Sequence, residues 1–189
     1  MKRGATNNKG FSLVELIIVI AIMAILVGVM APQLIKYIEK ANVAADTQMC
    51  DNVRKAIYYA AMDPAIIMAN DGSKDFIDHF YKKDDGTGGP NNFRLDSFGG
   101  TYLTCQFSKA VEETLGWNPF TTNAGDLTEY FKSTPGGSGG FFVLNAVVNS
   151  DGTDFAIYLS WSDRYGEKNG QNYTGSYENL EDSRVIFVK

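Results

Sequence analysis

The feature that most constrains this chain is a stretch of 20 residues, 16–35, that carries no charged side chain. It lies between Glu15 and Lys36 and consists almost entirely of Ile, Val, Ala, Leu and Met. About 20 apolar residues in a helix are long enough to cross the hydrocarbon layer of a bilayer. The sequence therefore predicts one membrane-spanning helix, about 13–35, in the N-terminal part of the chain.

The charges that precede this stretch predict its orientation. Lys2, Arg3 and Lys9 lie on its N-terminal side, and residues 1–10 contain no acid. Because positively charged flanks are retained in the cytoplasm, we expect the N-terminus to be cytoplasmic and the body of the protein to lie outside the membrane. The chain is then a single-pass membrane protein with an extracytoplasmic head.

Two other interpretations of the segment, a removable secretory signal and a plain signal anchor, leave features unexplained. A secretory signal could end at the small residues 29–31, but Pro32 would then follow the cut and Glu15 would lie inside the apolar region. A plain anchor gives Glu15 no role, although an acid in a membrane segment is costly and usually marks a function or a partner.

The residues Gly-Phe-Ser-Leu-Val-Glu at 10–15, with the apolar run after them, resemble the cleavage and methylation motif of type IV pilins and pseudopilins. The resemblance covers roughly residues 8–40. It implies that a prepilin peptidase cuts between Gly10 and Phe11, which removes residues 1–10 as a leader peptide. It also implies that Phe11 becomes N-methylated and that Glu15 takes part in assembly.

A physical role for Glu15 accompanies this resemblance. Cleavage creates an amine on Phe11 inside or at the edge of the apolar layer, where an unpaired charge is costly. The carboxylate of Glu15, in the same chain or in a neighbouring subunit, would offset that charge. Because misdocked subunits would leave both groups unpaired, the pair contributes specificity more than strength.

The helix is predicted to continue past Pro32 as far as Met62, so that it spans residues 11–62. An apolar stripe at three- and four-residue spacing indicates an amphipathic second half; it consists of Ile38, Ala41, Ala45, Met49, Val53, Ile57 and Ala60. Most charged residues, Asp46 and Arg54 included, are predicted to lie off this stripe. Asp63 ends the helix because a residue before proline disfavours helical backbone.

Gly28 and Pro32 predict a bend near residues 28–32. Proline removes one helical hydrogen bond and crowds the preceding turn, and in pilins a break of this kind lets the helix bend or melt locally. A proline that a membrane helix tolerates without a bend is the alternative.

Residues 63–189 are predicted to form a globular head with an antiparallel sheet of three or four strands packed on the outer half of the long helix. The fold class is therefore α+β. A Ser-Asp-Gly-Thr turn at 150–153 predicts a hairpin of strands 141–149 and 154–162. Further predicted elements are helices at 65–69, 74–81 and 108–116, the last capped by Ser108 and closed by Gly116, and strands at 101–107 and 184–189.

Candidate chemistry in the head is sparse. Cys50 and Cys105 predict either a single disulfide or two buried thiols, and His79 has no second metal ligand nearby. The acidic C-terminal loop, with Asp163, Glu178 and Asp182, predicts either calcium, which some pseudopilins bind in such a loop, or simply a solvated loop. No other cofactor is indicated.

The leading functional hypothesis is a structural subunit of a type IV pilus-like surface filament. Its implied partners are further copies of itself, a prepilin peptidase and methyltransferase, the pilus assembly platform and ATPase, and the cytoplasmic (inner) membrane. The alternatives are a minor pilin or type II secretion pseudopilin, and, more remotely, a membrane-anchored enzyme or sensor. A net charge of −5 argues against nucleic acid as a general partner, and with a single His no catalytic set is readable.

Overall fold

A computed structural model of the chain describes residues 10–81, 92–95, 100–120, 127, 129–133, 140–148, 152–163 and 186–188. Over these residues the architecture is α+β, as predicted, with one long helix, three short helices and a four-stranded antiparallel sheet. The helices are α1 (Leu13–Met62), α2 (Pro64–Ile67), α3 (Ser73–Tyr81) and α4 (Gln106–Leu115). The strands are β1 (Asn92–Arg94), β2 (Gly140–Val148), β3 (Phe155–Asp163) and β4 (Ile186–Val188).

The chain forms two compact units, Met1–Lys40 and Ala41–Lys189. In the first, which we call the N-terminal unit, every described residue except Glu39 is exposed. The second, which we call the head unit, contains the C-terminal part of α1 and all later elements. The head unit therefore includes residues 41–62 of the long helix as part of its own core.

The backbone of α1 is helical without interruption over 50 residues. The helix ends just before Asp63 and Pro64, as predicted. After Met62, the Asp63 side chain accepts a hydrogen bond from the N–H of Ala65 at 2.8 Å, and Pro64 is the first residue of α2. Asp63 is thus the N-cap of the next helix, and proline at its first position needs no N–H partner. The predicted end of the long helix is confirmed.

The face of α1 that the head buries is only partly the predicted stripe. Val53, Ile57 and Ala60 are buried as predicted. The prediction is wrong for Ile38, Ala41 and Ala45, which are exposed, and Met49 is half-buried. The buried face of α1 comprises Asp46, Cys50, Val53, Ala56, Ile57, Ala60 and Ala61. Toward the N-terminus, the buried face therefore contains Cys50 and Asp46 instead of the predicted Ala41 and Ala45.

The predicted hairpin forms the centre of the sheet. Strands β2 and β3 pair antiparallel from Gly140 opposite Asp163 to Val148 opposite Phe155. Gly152, in the connection between them, has φ of 74°, a conformation that glycine adopts without strain. Strand β1 pairs with β2 and β4 pairs with β3, so the order is β1-β2-β3-β4. β4 lies within the predicted strand 184–189, whereas β1 lies where no strand was specified.

The prediction of a strand at 101–107 is wrong. Residues Gly100–Leu103 form a 3₁₀ helix, and α4 begins at Gln106. The cause lies far away in sequence, because Asp71 and Ser73 accept hydrogen bonds from the N–H groups of Gln106 and Phe107 at 2.7 and 3.0 Å. These two side chains supply the cap that fixes the start of the helix.

Two details of α4 follow from this start. Ser108 is not the cap that the sequence predicts, because it lies inside the helix, is buried, and accepts a hydrogen bond from the Asn118 amide at 3.2 Å. Gly116 does end the helix, with a φ of 77° and its N–H donating to the carbonyl of Glu112. A left-handed residue at this position is the common way for a helix to stop, and it favours glycine.

Aromatic side chains fill much of the core between the short helices and the sheet. The ring of Phe76 lies 4.6 to 6.0 Å from the rings of Phe80, Phe107 and Phe120. Trp117 stacks on Tyr130 with ring centroids 4.3 Å apart. Because large aromatic residues each bury 150–250 Å², this cluster accounts for much of the apolar burial that holds the head unit together.

Candidate processing and assembly site

The backbone just before α1 is non-helical and open to solvent. Gly10, Phe11 and Ser12 precede the first helical residue, Leu13, and all three are exposed. Phe11 is 93 % exposed and contributes nothing to a core. The bond between Gly10 and Phe11 therefore lies in an accessible segment two residues ahead of the helix.

Side chains of Ser12 and Glu15 cap the start of α1. The N–H of Ser12 donates to Oε2 of Glu15 at 2.8 Å, and the N–H of Val14 donates to Oγ of Ser12 at 3.3 Å. The carbonyl of Ser12 accepts from the N–H of Leu16 at 3.2 Å, which makes Ser12 the N-cap. This is a capping box, for which Ser-x-x-Glu is the sequence signal. The sequence-based predictions gave Glu15 an assembly role and did not use this signal.

Nothing among the described residues requires glycine at position 10. A Cβ built there meets nothing within 4 Å, and its φ is outside the left-handed range that favours glycine. A residue type that the fold does not require is more readily explained by an external requirement, such as a protein that grips the backbone closely.

The apolar run after Glu15 packs against no core in the part of the chain that the structure describes. Large apolar side chains between Leu13 and Ile38 are 48–73 % exposed. In the described part of the chain, α1 is the one helix whose length and composition would allow it to cross a membrane. An exposed apolar surface of this size marks a site of interaction with a membrane or with protein.

Gly28 and Pro32 both lie inside α1, where the backbone remains helical. A Cβ at Gly28 would meet nothing within 4 Å, so close packing against the described residues does not require this glycine. The bend near residues 28–32 stays a prediction.

Asp46, predicted to lie off the core stripe, is instead a buried carboxylate with backbone partners. Its oxygens accept hydrogen bonds from the N–H of Lys132 at 3.0 and 3.1 Å and from the N–H of Ser133 at 2.7 Å. A buried carboxylate is tolerated when N–H groups satisfy it, and here it ties residues 132–133 to α1. No sequence signal connects residues so far apart.

Both cysteines are free thiols in the core, and no bridge joins Cys50 to Cys105. Burial raises the pKa of the Cys50 thiol far above its usual range, and the nearby Asp46 carboxylate raises it further. A thiolate is the reactive form of cysteine, so Cys50 has the chemistry of a core residue rather than of a nucleophile.

Arg54 joins α1 to the start of β3. Its Nη2 lies 3.0 and 3.2 Å from the two carboxylate oxygens of Asp154, and its Nε donates to the carbonyl of Phe155 at 3.1 Å. The guanidinium also lies over the Phe155 ring, 5.6 Å from its centroid. Beside them, burial raises the pKa of Tyr81 to about 12; the nearby Asp154 carboxylate raises this pKa further and the Arg54 guanidinium lowers it. These contacts give Arg54 a structural role, which is to hold α1 against the start of β3.

Other candidate sites acquire no further support. His79 is exposed, and its Nδ1 lies 2.8 Å from the carbonyl of Asp75 in the preceding turn. Among the described residues no group of three or more potential metal ligands is found. Asp163 is the last residue of β3, whereas Glu178 and Asp182 lie outside the described residues, so the calcium site stays a prediction.

A glycine-rich segment raises the question of a nucleophile. Residues 136–140 read Gly-Gly-Ser-Gly-Gly, which formally fits the G-x-S-x-G pattern of hydrolases. In those enzymes the serine lies on a turn from a strand into a helix. Here strand β2 begins at Gly140, and Ser138 lies outside the described residues. The order of elements therefore does not match.

The family described as "Prokaryotic N-terminal methylation motif" matches residues 5–31. The chain carries a prepilin-type methylation motif. The match covers the junction at Gly10 and Phe11, the capping box and most of the exposed apolar run. No match to the chain was found among curated proteins or among solved structures.

The methylation motif is typical of type IV pilins and pseudopilins, which are generally non-enzymatic structural proteins. The α+β fold, with a long apolar N-terminal helix and a small antiparallel sheet, is pilin-like. The motif and the exposed helix together indicate an anchor in the inner membrane before assembly.

Proposed function

We propose that this chain is the structural subunit of a type IV pilus-like surface filament. The single observation that carries the proposal is the exposed apolar run of α1 directly behind a methylation motif. Full burial of one Leu, Ile or Val side chain stabilises by about 1.5–3 kcal/mol. A run of such residues that finds no partner among the described residues therefore needs an apolar surrounding, first in the membrane and then between subunits.

In this proposal a prepilin peptidase cuts between Gly10 and Phe11, releases residues 1–10 as the leader, and Phe11 becomes N-methylated. The non-helical, exposed backbone at this bond supports the assignment, because a peptidase must reach the scissile bond. The described fold does not require glycine at position 10, and this also supports the assignment. Residues 63–189, with the C-terminal part of α1, then form the head outside the membrane.

Assembly in this proposal transfers the apolar run from lipid to a bundle of identical helices. Lipid is as apolar as the helix, so packing and polar contacts rather than the hydrophobic effect must favour the bundle. Glu15 supplies such a polar contact by pairing with the amine of Phe11. The assembly platform and its ATPase, which are separate proteins, would extract the subunits from the inner membrane.

The intact mass of the chain in purified surface fibres tests this proposal. We expect a species that begins at Phe11, carries one methyl group and is the most abundant protein of the fibre. If the processed chain is present only in trace amounts, it is a minor or priming subunit and the proposal is wrong on that point. If it is absent from every fibre, the filament function itself is wrong.

Substitution of Gly10 tests the processing step separately. Gly10→Val should reduce cleavage on the order of tenfold or more, since a site shaped for a bare backbone has no room for a branched side chain. Gly28→Ala is the matched control, because its new Cβ also meets nothing within 4 Å. Mass spectrometry of the membrane fraction measures the cut and uncut forms. Equal cleavage of Gly10→Val and the control would contradict the assigned junction.

A further inference from the structure

We propose that the helix face just beyond the apolar run binds the phosphate groups of anionic phospholipids at the extracytoplasmic edge of the bilayer. This face, which we call the headgroup face, consists of Gln33, Lys36, Tyr37 and Lys40 of α1. The inference rests on the membrane anchoring and orientation proposed for α1, and not on whether the chain forms a filament. It adds a class of lipid to the membrane contact and names the residues that recognise it.

The headgroup face lies at the depth where a bilayer changes from hydrocarbon to headgroups. The uncharged stretch 16–35 extends about 30 Å as a helix at 1.5 Å per residue, which matches the thickness of the hydrocarbon layer. Helix α1 is uninterrupted across this stretch and beyond it. With Glu15 at the cytoplasmic edge, Lys36 therefore reaches the opposite edge, where the phosphate groups begin.

The four residues share one side of the helix. Successive residues of an α-helix turn by roughly 100°, so Gln33, Lys36 and Lys40 lie within about 60° of one another, and Tyr37 falls about 40° further round. The other side of the same segment carries exposed apolar residues, namely Leu34, Ile35 and Ile38. The segment is thus divided into a cationic side and an apolar side, which is typical of helices at a membrane surface.

The charged and aromatic side chains of this face are open to the surroundings. Lys36, Tyr37 and Lys40 are all exposed, and among the described residues neither ammonium lies in an ion pair. Glu39, the one acid within residues 33–40, is half-buried and lies outside the headgroup face. A lysine can keep its methylenes against lipid while its ammonium reaches phosphate. Tyrosine is enriched at the same depth, because its ring is apolar and its hydroxyl is polar.

The distribution of charge favours anionic lipid. Lys36 and Lys40 are the only basic residues between Lys9 and Arg54. Residues 41–189 carry 12 Lys and Arg against 20 Asp and Glu, so their net charge is repelled by a negative surface. The headgroup face, in contrast, is cationic and complements anionic phosphate. Each lysine close to such a surface favours it by roughly fivefold.

The lipid selectivity of the full chain in nanodiscs of mixed phosphatidylglycerol and phosphatidylcholine tests the proposal. Native mass spectrometry of the released chain measures the ratio of the two lipids that stay bound. Lys36→Gln combined with Lys40→Gln should lower the share of phosphatidylglycerol by about fivefold or more. The control combines Lys74→Gln with Lys109→Gln, which removes two exposed lysines of the head unit and should leave the ratio unchanged. An equal ratio in the two double variants would overturn the proposal and leave the filament function intact.

A photoreactive residue locates the bound lipid. Tyr37 and Tyr59 are 67 and 65 % exposed on the same helix, so they form a matched pair for replacement by benzoylphenylalanine. On irradiation in the same nanodiscs, we expect phosphatidylglycerol to be cross-linked at residue 37 and not at residue 59. Absence of lipid cross-links at residue 37 would contradict the proposal. A chain that captures lipid there but never occurs in surface fibres would instead refute the proposed filament alone.

Discussion

The two parts of α1 differ in where their side chains find partners. In the N-terminal unit, the residues from Leu13 to Ile38 are apolar almost throughout, yet every one of them is exposed. In the head unit, residues 41–62 are more polar, yet Asp46 is 1 % exposed and Arg54 bonds to both Asp154 and Phe155. Within this one helix, hydrophobicity and burial therefore run in opposite directions.

This difference shows that the helix has two kinds of environment to satisfy. The head unit provides its own partners, so a carboxylate can be buried there if backbone N–H groups meet it. Among the described residues, the N-terminal unit buries none of its large apolar side chains, and in the proposed function lipid or other chains bury them. Hydropathy alone indicates which part is apolar. The contacts indicate which part depends on something outside the chain.

The largest expected effect comes from placing a charge in the exposed apolar run. Ile25→Asp should reduce stable membrane insertion at a cost of about 2.5–3.5 kcal/mol, because Ile25 lies near the centre of the predicted span. Extraction of membranes at alkaline pH measures the inserted fraction. Ala44→Asp is the matched control, since Ala44 is an exposed position on the same helix in the head unit. Equal insertion of the two variants would remove the distinction between the two parts of α1.

Asp46→Ala tests the other side of the comparison. It leaves the N–H groups of Lys132 and Ser133 without their acceptor and should destabilise the head by about 2–3 kcal/mol. Urea unfolding of the full chain in detergent, followed by tryptophan fluorescence, measures this loss. Asp51→Ala, which removes helical contacts with Lys55 (Oδ2 to Nζ 2.6 Å) and with the amide of Gln48 (Oδ2 to Nε2 3.5 Å), should cost no more than about 0.5 kcal/mol. Similar losses for the two variants would mean that the buried clamp is unimportant.

Arg54→Lys should cost about 1 kcal/mol of head stability. Lysine keeps the charge but cannot bond to Asp154 and Phe155 at once or lie flat over the ring. Because the Arg54 and Asp154 side chains are 20 % and 38 % exposed, solvent screens the ion pair and the loss stays small. The same urea unfolding measures it, and Lys55→Arg provides a control. An unchanged midpoint for Arg54→Lys would show that charge alone suffices.

Asp71→Asn should change the pH dependence of head stability. Hydrogen bonds from the Ser73 side chain and then from the Gln106 N–H lower the pKa of Asp71 in the folded state. The ionised carboxylate therefore stabilises the fold above its unfolded pKa of about 3.9, and this contribution disappears as the pH falls through the lower folded value. Unfolding midpoints between pH 7 and pH 3 should decline more steeply for wild type than for Asp71→Asn. Parallel curves would contradict this.

The sequence predicts those parts of the fold that depend on local chemistry. Proline after Asp63 marks the end of α1, the turn at 150–153 marks the hairpin, and Gly116 marks the end of α4. The sequence-based prediction fails where contacts between residues far apart in sequence determine the local structure. Thr101 to Leu103 have the composition of a strand, but the segment turns into α4 because Asp71 and Ser73 cap it from about 35 positions away. Asp46 can likewise be buried because the N–H groups of residues 132–133 donate hydrogen bonds to its carboxylate.

The methylation motif could be predicted from the sequence because its signal is continuous, whereas the roles of its residues stay predictions. The Gly-Phe junction, Glu15 and the apolar run all lie within residues 10–35, and the matched motif spans residues 5–31. The capping role of Ser12 was also readable from the Ser-x-x-Glu spacing.

The central claim is that the apolar part of α1 finds its burial between copies of this chain. Ile22→Cys, a nearly neutral change in the run, allows this to be measured in intact surface fibres with a water-soluble maleimide. The native Cys50 and Cys105 are buried and give little background in the folded chain. Lys109→Cys, at an exposed position of α4, is the accessible control. We predict that residue 22 is unlabelled in the fibre and labelled once the fibre is dissociated in denaturant, whereas residue 109 is labelled in both. Equal labelling of residue 22 in both states would contradict the account.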